Sequence, residues 1–487
     1  MNKTYFTCLI LIIAGLSLNA RETVYTVSFA DYKEKRVYVE AELFLQDSIL
    51  RMSGNGPVPE RWDDYIDNLT ARLESGDQVK VVKRGDRWIL HTTPGQKVKI
   101  NYEVSVTHDD ILWPGGIDGV AFVKEWGYFL TGRSLFVFNL NDGDKYRVIV
   151  KNEGENNVYV PWTPSLDGFL INNHSDLTES LILYGNYKFQ ELKRNNLSIR
   201  FVLGGSEIQA NSDKYGEIAE QVMDYYFDLM GGGPTPGGSN SANIMVVINS
   251  SKQTDGEVIG SHISMLVNPE SDAQEQMVAW FMFAHEFFHL WNGKTLQVNS
   301  TRDDWFKEGV TNYYTLKSLF QVEFINMQAL AGIFNGLFYQ RYQNDSGLGE
   351  LSMRDAAEGF SKDNHWGLIY SGGLFAGIGI DMIIREETNN QKSLDDLMRA
   401  LYAKYKNRDE VYTTDEVIAL ANEIAGKDLT PFFDKYVNGF TEIPVQDYLK
   451  KAGFKVSIED GNLKMNLRDD INEQERAIQN GFLGELN

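Results

Sequence analysis

A chain of 487 residues, 43% hydrophobic and 12% aromatic, has enough apolar side chain for two or three buried cores, which excludes a disordered chain. Its formal charge of −22, from 68 acidic against 46 basic residues, argues against nucleic acid or an anionic membrane surface as the main partner. The first element in chain order is residues 1–20, "MNKTYFTCLILIIAGLSLNA", with one cation at Lys3, an apolar run from Tyr5 to about Leu16, and Ala20 at its end. This reads as a cleavable export signal, cut after Ala20 and too short for a comfortable membrane span. The expected location is periplasmic or extracellular, with no stable membrane insertion after signal removal. The only cysteine, Cys8, lies inside this segment. The mature chain then has no thiol, and any metal site must use His, Asp and Glu.

From Thr23 to about Val202 the text is strand-like. "VYTVSF", "RVYVEAELFL", "QVKVVKRGDRWILHTT", "QKVKINYEVSV", "SLFVFNL" and "KYRVIV" alternate apolar and polar residues between turn residues. Residues 21–205 are therefore expected to form an all-β, sandwich-like domain. Its histidines, His91, His108 and His174, read as surface or packed residues rather than ligands. Near Ser206 the pattern changes: "SDKYGEIAEQVMDYYFDLMGGG" has helical periodicity, and strands follow at "NIMVVINSS" and "VIGSHISMLVN". From Ser271 to about Lys451 the text is mainly helical. This divides the rest into a catalytic part at 206–325, a helical part at 326–455, and a polar end at 456–487, either a short strand pair or a loose tail.

The chemistry lies in "AHEFFHLWNG", residues 284–293. Burying three polar groups within five residues unpaired would cost several kcal/mol. Ser271 and Gln274 have the spacing of a capping box, so a helix can start there and stop at Gly293. On such a helix His285 and His289, four apart, point at one spot where two neutral imidazoles can bind Zn²⁺, and Glu286 lies beside the metal. Eighteen residues after His289 comes Glu308, in "RDDWFKEGVTNYYT". Thr301 and Asp304 offer a second helix start, and a loop at about 294–301 lets the two helices pack antiparallel. Two His and one Glu leave a fourth position open, the pattern of a catalytic zinc.

"HEFFHLWN", the 18-residue spacer and "WFKEGVTNYYT" resemble the gluzincin metallopeptidases, and among them the glycyl aminopeptidase family, M61. Similar text recurs in "SDLTESLILYGNY", in "YSGGLFAGIGIDMIIR" at 370–385 and in "DLTPFFDKYVNGFTEIPVQDYLKKAGF" at 428–454, so the resemblance covers most of 160–455. It implies a multidomain α+β chain: an N-terminal β domain, then a thermolysin-like zinc peptidase domain with a helical C-terminal half, a substrate groove along an edge strand, and peptides as substrates. One zinc per chain would be held by His285, His289 and Glu308, with Glu286 as general base. Tyr370 matches the family's oxyanion donor, with His365 a weaker rival, while Tyr313 and Tyr314 read as packing residues. Asn312, one turn after Glu308, could hold a ligand histidine's second nitrogen. The chain ends soon after Phe454, where many relatives continue into a PDZ domain, so that module is expected to be absent.

One departure bears on activity. Family members carry Gly-Leu-Glu-His before the zinc helix, whose glutamate is expected to bind the substrate's α-amine. Here the text is "VIGSHISML": Ser261 stands in the acid's place and only His262 matches. Glu257, four residues earlier on the same strand face, is the available substitute. Without a fixed carboxylate, selection of an N-terminal ammonium loses its main electrostatic contact. Peptide hydrolysis is thus expected in an aminopeptidase-like mode, with an endopeptidase, a catalytically weak binding protein on the same scaffold, and a hydrolase of non-peptide bonds as alternatives.

Overall fold

The computed structural model describes residues 22–54, 62–111, 119–140, 145–151, 156–194, 197–236, 242–407 and 410–484. The expected export signal lies outside them. The chain divides into two compact units. The first takes its described residues from Met1–Val106, Arg133–Glu153 and Trp162–Thr178, and the second from Thr107–Gly132, Gly154–Pro161 and Glu179–Asn487. The division is therefore not one cut near residue 205, because the described residues of 107–132, 154–161 and 179–205 belong to the second unit.

In the first unit, strict alternation produces strands buried on one face. Glu22–Phe29, Arg36–Phe44 and Lys97–Ser105 bury every second residue. They lie in an eight-stranded sheet in the order Thr163–Ser165, Gly168–Ile171, Lys145–Lys151, Glu22–Phe29, Arg36–Phe44, Lys97–Ser105, Ile66–Leu73, Gln78–Val79. A three-stranded sheet holds Ile49–Arg51, Arg87–Leu90 and Val81–Arg84. "SLFVFNL", expected as a strand, is not one. A helical turn spans Gly132–Leu135, only Phe138 bridges to Arg51, and Ser134–Asn139 are all buried. The Tyr25 and Tyr102 hydroxyls donate to the carbonyls of Val137 and Leu135 at 3.0 and 2.9 Å, so this segment fills the unit's interior instead of alternating.

The second unit is built on a five-stranded sheet of β1 (Lys188–Arg194), β2 (Leu197–Gly204), β3 (Ala242–Ser250), β4 (Asp255–Ile259) and β5 (His262–Val267), in the order β1-β2-β3-β5-β4. Strands β2, β3 and β5 run parallel, while β1 and β4 are antiparallel edges. Both faces are apolar, as a covered sheet requires. One face packs Val202, Val247 and Leu266 against Phe129 and Leu183 of a four-stranded sheet. The other meets the helices α1 (Ser212–Met230) and α2 (Ala273–His289) through residues such as Ile218, Val246, Ile263 and Phe283.

Two further helices complete the frame of the site, α3 (Asp304–Gln321) and α4 (Gly372–Glu387). The stretch Gly367–Glu387 is long and apolar enough to cross a membrane, but 89% of its most apolar window is buried in the protein, as in a core helix. The polar end contains a hairpin of Phe454–Glu459 and Asn462–Leu467, one of the two expected outcomes, followed by a helix at Glu473–Leu483 that the sequence analysis did not anticipate. That helix has a complete capping box from Asn472 and Glu475, and Arg385 of α4 donates to its Gly481 carbonyl at 2.8 Å.

Candidate metal centre

Helix α2 starts one residue later than the capping-box spacing suggests. The Asp272 carboxylate accepts from the Glu275 amide at 2.9 Å, while the Ser271 hydroxyl turns back to the Asn268 carbonyl at 2.7 Å. At its other end α2 passes through a π-turn, Leu290–Thr295, in which Asn292 and Gly293 leave helical geometry. Gly293 has φ +155°, and a Cβ there would approach His289 Nδ1 to 3.4 Å, so glycine suits this exit beside a ligand candidate.

Asn292 ties this exit to the second helix. Its amide nitrogen donates to the Lys307 carbonyl at 3.0 Å and the Thr311 hydroxyl at 3.2 Å, and its side-chain oxygen accepts from the Tyr412 hydroxyl at 3.1 Å. Its backbone carbonyl accepts from His289 Nδ1 at 2.9 Å. A carbonyl can only accept, so the proton is on Nδ1 and the Nε2 lone pair is free to bind a metal. The asparagine of "HLWN" thus fixes both the helix pair and the tautomer, a role the sequence analysis missed although the residue stood in its motif.

The three ligand candidates converge. His289 Nε2 lies 3.0 Å from His285 Nε2 and 3.1 Å from Glu308 Oε2, and His285 Nε2 lies 3.6 Å from the same oxygen. Their ligand atoms all fall within 4.8 Å of one another and could hold one metal ion. Zinc arms of about 2.0–2.1 Å in a tetrahedron put ligand atoms about 3.3 Å apart, which these separations bracket. The expected zinc therefore fits.

Burial dominates the electrostatics. It pushes the His285 imidazole down to about 4, helped by the neighbouring His289. Burial, with Glu308 and Glu257 nearby, pushes the Glu286 carboxyl up to about 7, against the pull of His289 and Lys294. His289 is raised despite its burial, because Glu308 faces it. Glu308, although buried, is held well below the usual carboxylate range by Lys362 and Lys307. These lysines form a network absent from the sequence analysis. Lys362 Nζ lies 2.7 Å from Asp304 Oδ2 and 3.0 Å from Glu308 Oε1. Lys307 Nζ lies 2.7 Å from Asp304 Oδ1 and 3.3 Å from Glu308 Oε1. Asp304 and Glu308 share a helix face by their i, i+4 spacing, a signal that was available. Lys362 stands in "GFSKDNHW", where no pattern marks it.

Tyr370 reaches the same centre through a close backbone approach. Its π-turn, Gly367–Ser371, leads into α4, where Gly373 meets Gly309 of α3 so tightly that a Cβ on Gly309 would lie 2.2 Å from the Gly373 carbonyl carbon. The Tyr370 phenol is raised by burial and by Glu308, and Lys362, 5.3 Å from the ring centre, opposes that rise. Trp366 stacks on Tyr370 at 4.7 Å. His365 is turned to another partner: its Nδ1 lies 2.8 Å from Asp345 Oδ1, and Asp345 Oδ2 accepts from the Leu368 amide at 2.8 Å. Asn312 donates to the Tyr370 carbonyl at 3.2 Å. It stands beside the His285 ring and favours its charged form, yet His285 Nδ1 has no partner in full hydrogen-bond geometry. Asn312 thus secures the tyrosine turn more firmly than a ligand histidine. Tyr313 and Tyr314 are buried, donating to Asp381 and Asp395 at 2.8 and 2.9 Å, as packing residues do.

The remaining candidates separate. Gly256 of the edge strand β4 faces α2, where a Cβ would meet Glu286 Cγ at 3.7 Å. Glu257, next along, points to the opposite face beside Gly119 and still raises Glu286 through its charge. Ser261 lies in the turn between β4 and β5, beyond the end of β4 at Ile259, which is itself three residues or roughly 10 Å of strand from Gly256. His262 accepts from the Met245 amide at 3.3 Å through Nδ1, and burial and then Lys294 push it down to about 3. It is a neutral sheet anchor.

Fold and site together define a zinc metallopeptidase of multidomain α+β construction, as the resemblance implied. Residues 279–372, from the zinc helix to the Tyr370 turn, match the family model of M61 glycyl aminopeptidase, which bears out the recognition and the peptidase class. Among solved structures, an aminopeptidase N family protein from Idiomarina loihiensis is similar over 90% of this chain and 80% of its own, with 16% identity and a TM-score of 0.76. An M1 zinc metallopeptidase from Deinococcus radiodurans is similar over 88% of this chain and 95% of its own, with 12% identity and a TM-score of 0.52. A variant of that enzyme bound to a Tyr-Ser-Ala substrate has a TM-score of 0.52 and 11% identity over the same shares. No curated protein matches this chain.

Proposed function

We propose that this chain is an exported zinc peptidase that removes residues from the amino ends of peptides. The observation that carries the reading is the convergence of His285, His289 and Glu308 within 4.8 Å, with Glu286 buried on the same helix as the two histidines. Bound zinc would lower the pKa of water and polarise the scissile carbonyl. Glu286, whose burial raises its proton affinity, takes the proton of the attacking water and passes it to the leaving amine. Tyr370 donates to the oxygen that gains charge as the carbonyl is attacked. The strand β4 lies at the edge of its sheet, the position at which an extended peptide can add as a further strand. The apolar N-terminal run supports export to the periplasm or the exterior.

Glu257 supports the exopeptidase mode. Its side chain leaves β4 on the face away from α2, beside Gly119, yet its charge still acts on Glu286, so we assign it, in place of Ser261, as the carboxylate for a substrate ammonium at that edge. Such a charge-assisted contact is worth about 1.5–3 kcal/mol, or roughly 10–150-fold in kcat/KM. The test compares kcat/KM on one peptide with a free and an acetylated N-terminus, after cleavage positions in a mixed peptide library have identified a good substrate. Preference for the free amine within that range, lost in Glu257→Gln, is the expected result. A ratio near one would replace the aminopeptidase by an endopeptidase of the same fold.

A further inference from the structure

Asp304 and Glu308 place two buried carboxylates one turn apart on α3, an arrangement that repels unless cations answer it. Two lysines answer it, and their geometry is divided. Each takes one oxygen of Asp304 at 2.7 Å, and both converge on Glu308 Oε1, at 3.0 Å from Lys362 and 3.3 Å from Lys307. The four charges sum to zero. With Oε1 claimed twice, Oε2 is the oxygen that faces the imidazoles, 3.1 and 3.6 Å from their Nε2 atoms. The terminal torsion of a glutamate is broad, so the carboxylate would otherwise turn freely.

The two lysines are not equivalent. Lys307 is the neighbour of Glu308 on the same helix. Lys362 comes from a separate turn, Gly359–Asn364, and its Nζ also lies 5.3 Å from the centre of the Tyr370 ring. Two of its three donors go to Asp304 and Glu308, and its charge lies within range of the Tyr370 phenol. We infer that Lys362 is a positioning residue that locks Glu308 and Tyr370 into one unit, so that metal retention and oxyanion donation depend on the same ammonium. The inference rests on the metal-centre reading above. A cation this near the phenol also polarises its O–H, which makes it a stronger donor.

The test reads zinc affinity as well as turnover. In Lys362→Met the zinc dissociation constant, measured by competition with a chromogenic chelator, should rise about 10–100-fold. At saturating zinc, kcat should fall by a similar factor of about 10–100 with KM little changed. Lys362→Arg should recover most of the zinc affinity. The kcat losses of Lys362→Met and Tyr370→Phe should not multiply, because one acts through the other. Zinc affinity within about twofold of the parent, or losses that multiply, would overturn the inference. If the Met variant does not fold, the same cycle with Lys362→Arg decides: multiplying losses again count against it. His289→Ala separates the two levels. Zinc retained there removes the metal-centre reading itself, whereas zinc lost there but held normally in Lys362→Met removes only the role of Lys362.

Discussion

The contact between Gly309 and Gly373 sets how closely Glu308 and Tyr370 approach, and it can be perturbed by one methyl group. In Gly309→Ala the new Cβ would sit 2.2 Å from the Gly373 carbonyl carbon, 2.3 Å from its Cα and 2.5 Å from the Leu374 nitrogen. These are backbone atoms, so no flexible side chain can yield. Reaching ordinary contact at 3.4 Å requires the two helices to part by roughly 1.2 Å, the difference between those separations. Glu308 directly precedes Gly309, and Tyr370 lies three residues before Gly373. The parting therefore opens the distance between a ligand and the oxyanion donor. A misplacement of about 1 Å costs on the order of 10²-fold in rate. Overpacking costs about 1–3 kcal/mol, offset in part by the gain of about 0.5–1 kcal/mol for alanine over glycine in a helix. The assay is kcat/KM on the best library peptide together with thermal unfolding. Gly377→Ala on α4 is the control, since its Cβ would meet Val310 Cγ2 at 3.5 Å, Leu394 Cδ2 at 3.7 Å and Tyr313 Cβ at 3.9 Å, all ordinary contacts, and should leave activity unchanged. Normal activity and stability in Gly309→Ala would refute the claim that this contact sets the site.

Three other outcomes are expected. Glu286→Gln should retain zinc by elemental analysis while activity falls by at least ~10², and near-normal turnover removes Glu286 from the mechanism. Tyr370→Phe should lower kcat by roughly 10²–10³ with little change in KM; a loss confined to stability makes it a packing residue. His108, fully buried, has its imidazole pushed down to about 3 by burial, against about 6.5 when unfolded. The unfolded chain takes up a proton that the fold refuses, so stability is complete above about pH 6.5 and declines as the pH falls toward 3. At about pH 5 the loss from this group is about 2 kcal/mol, 1.5 units at 1.36 each. Urea midpoints at about pH 7.5 and 5 should show that loss in the parent but not in His108→Asn, and equal losses would disprove it.

What was legible followed from distance along the chain. His285, Glu286 and His289 lie on one helix and Glu308 on the next, so spacing and ligand chemistry carried the constellation into three dimensions. The alternating strands of the first unit were legible for the same local reason. "SLFVFNL" misled because its alternation is accidental: Ser134–Asn139 are buried throughout, and no strand period applies. The pairing of Lys362 with Asp304 and Glu308 and the Gly309–Gly373 approach were invisible because each joins residues more than fifty positions apart, and neither a lysine in a polar loop nor a glycine in a helix announces its partner. Asn292 is a different case. It stood inside the recognised motif, and only the hydrogen bonds from His289 and to Lys307 and Thr311 say why an asparagine is there.

The question of the missing acid shows where a motif and a sheet part company. Aligned as text, Ser261 occupies the position of the family's glutamate, and the amine-binding charge looks lost. Placed in the sheet, Ser261 belongs to the turn beyond β4, while the stretch that runs past Glu286 is Asp255–Ile259. Strand position, not motif register, decides which side chain stands near a substrate laid along that edge. A glutamate four residues earlier on the strand itself can do what one in the turn cannot. The charge coupling between Glu257 and Glu286 has a consequence for the variant that text alignment suggests. Ser261→Glu adds its carboxylate at the far end of β4, so it should leave the free-amine preference unchanged, whereas Glu257→Gln should abolish it. The opposite pattern would restore the motif's register and move the amine site to the turn.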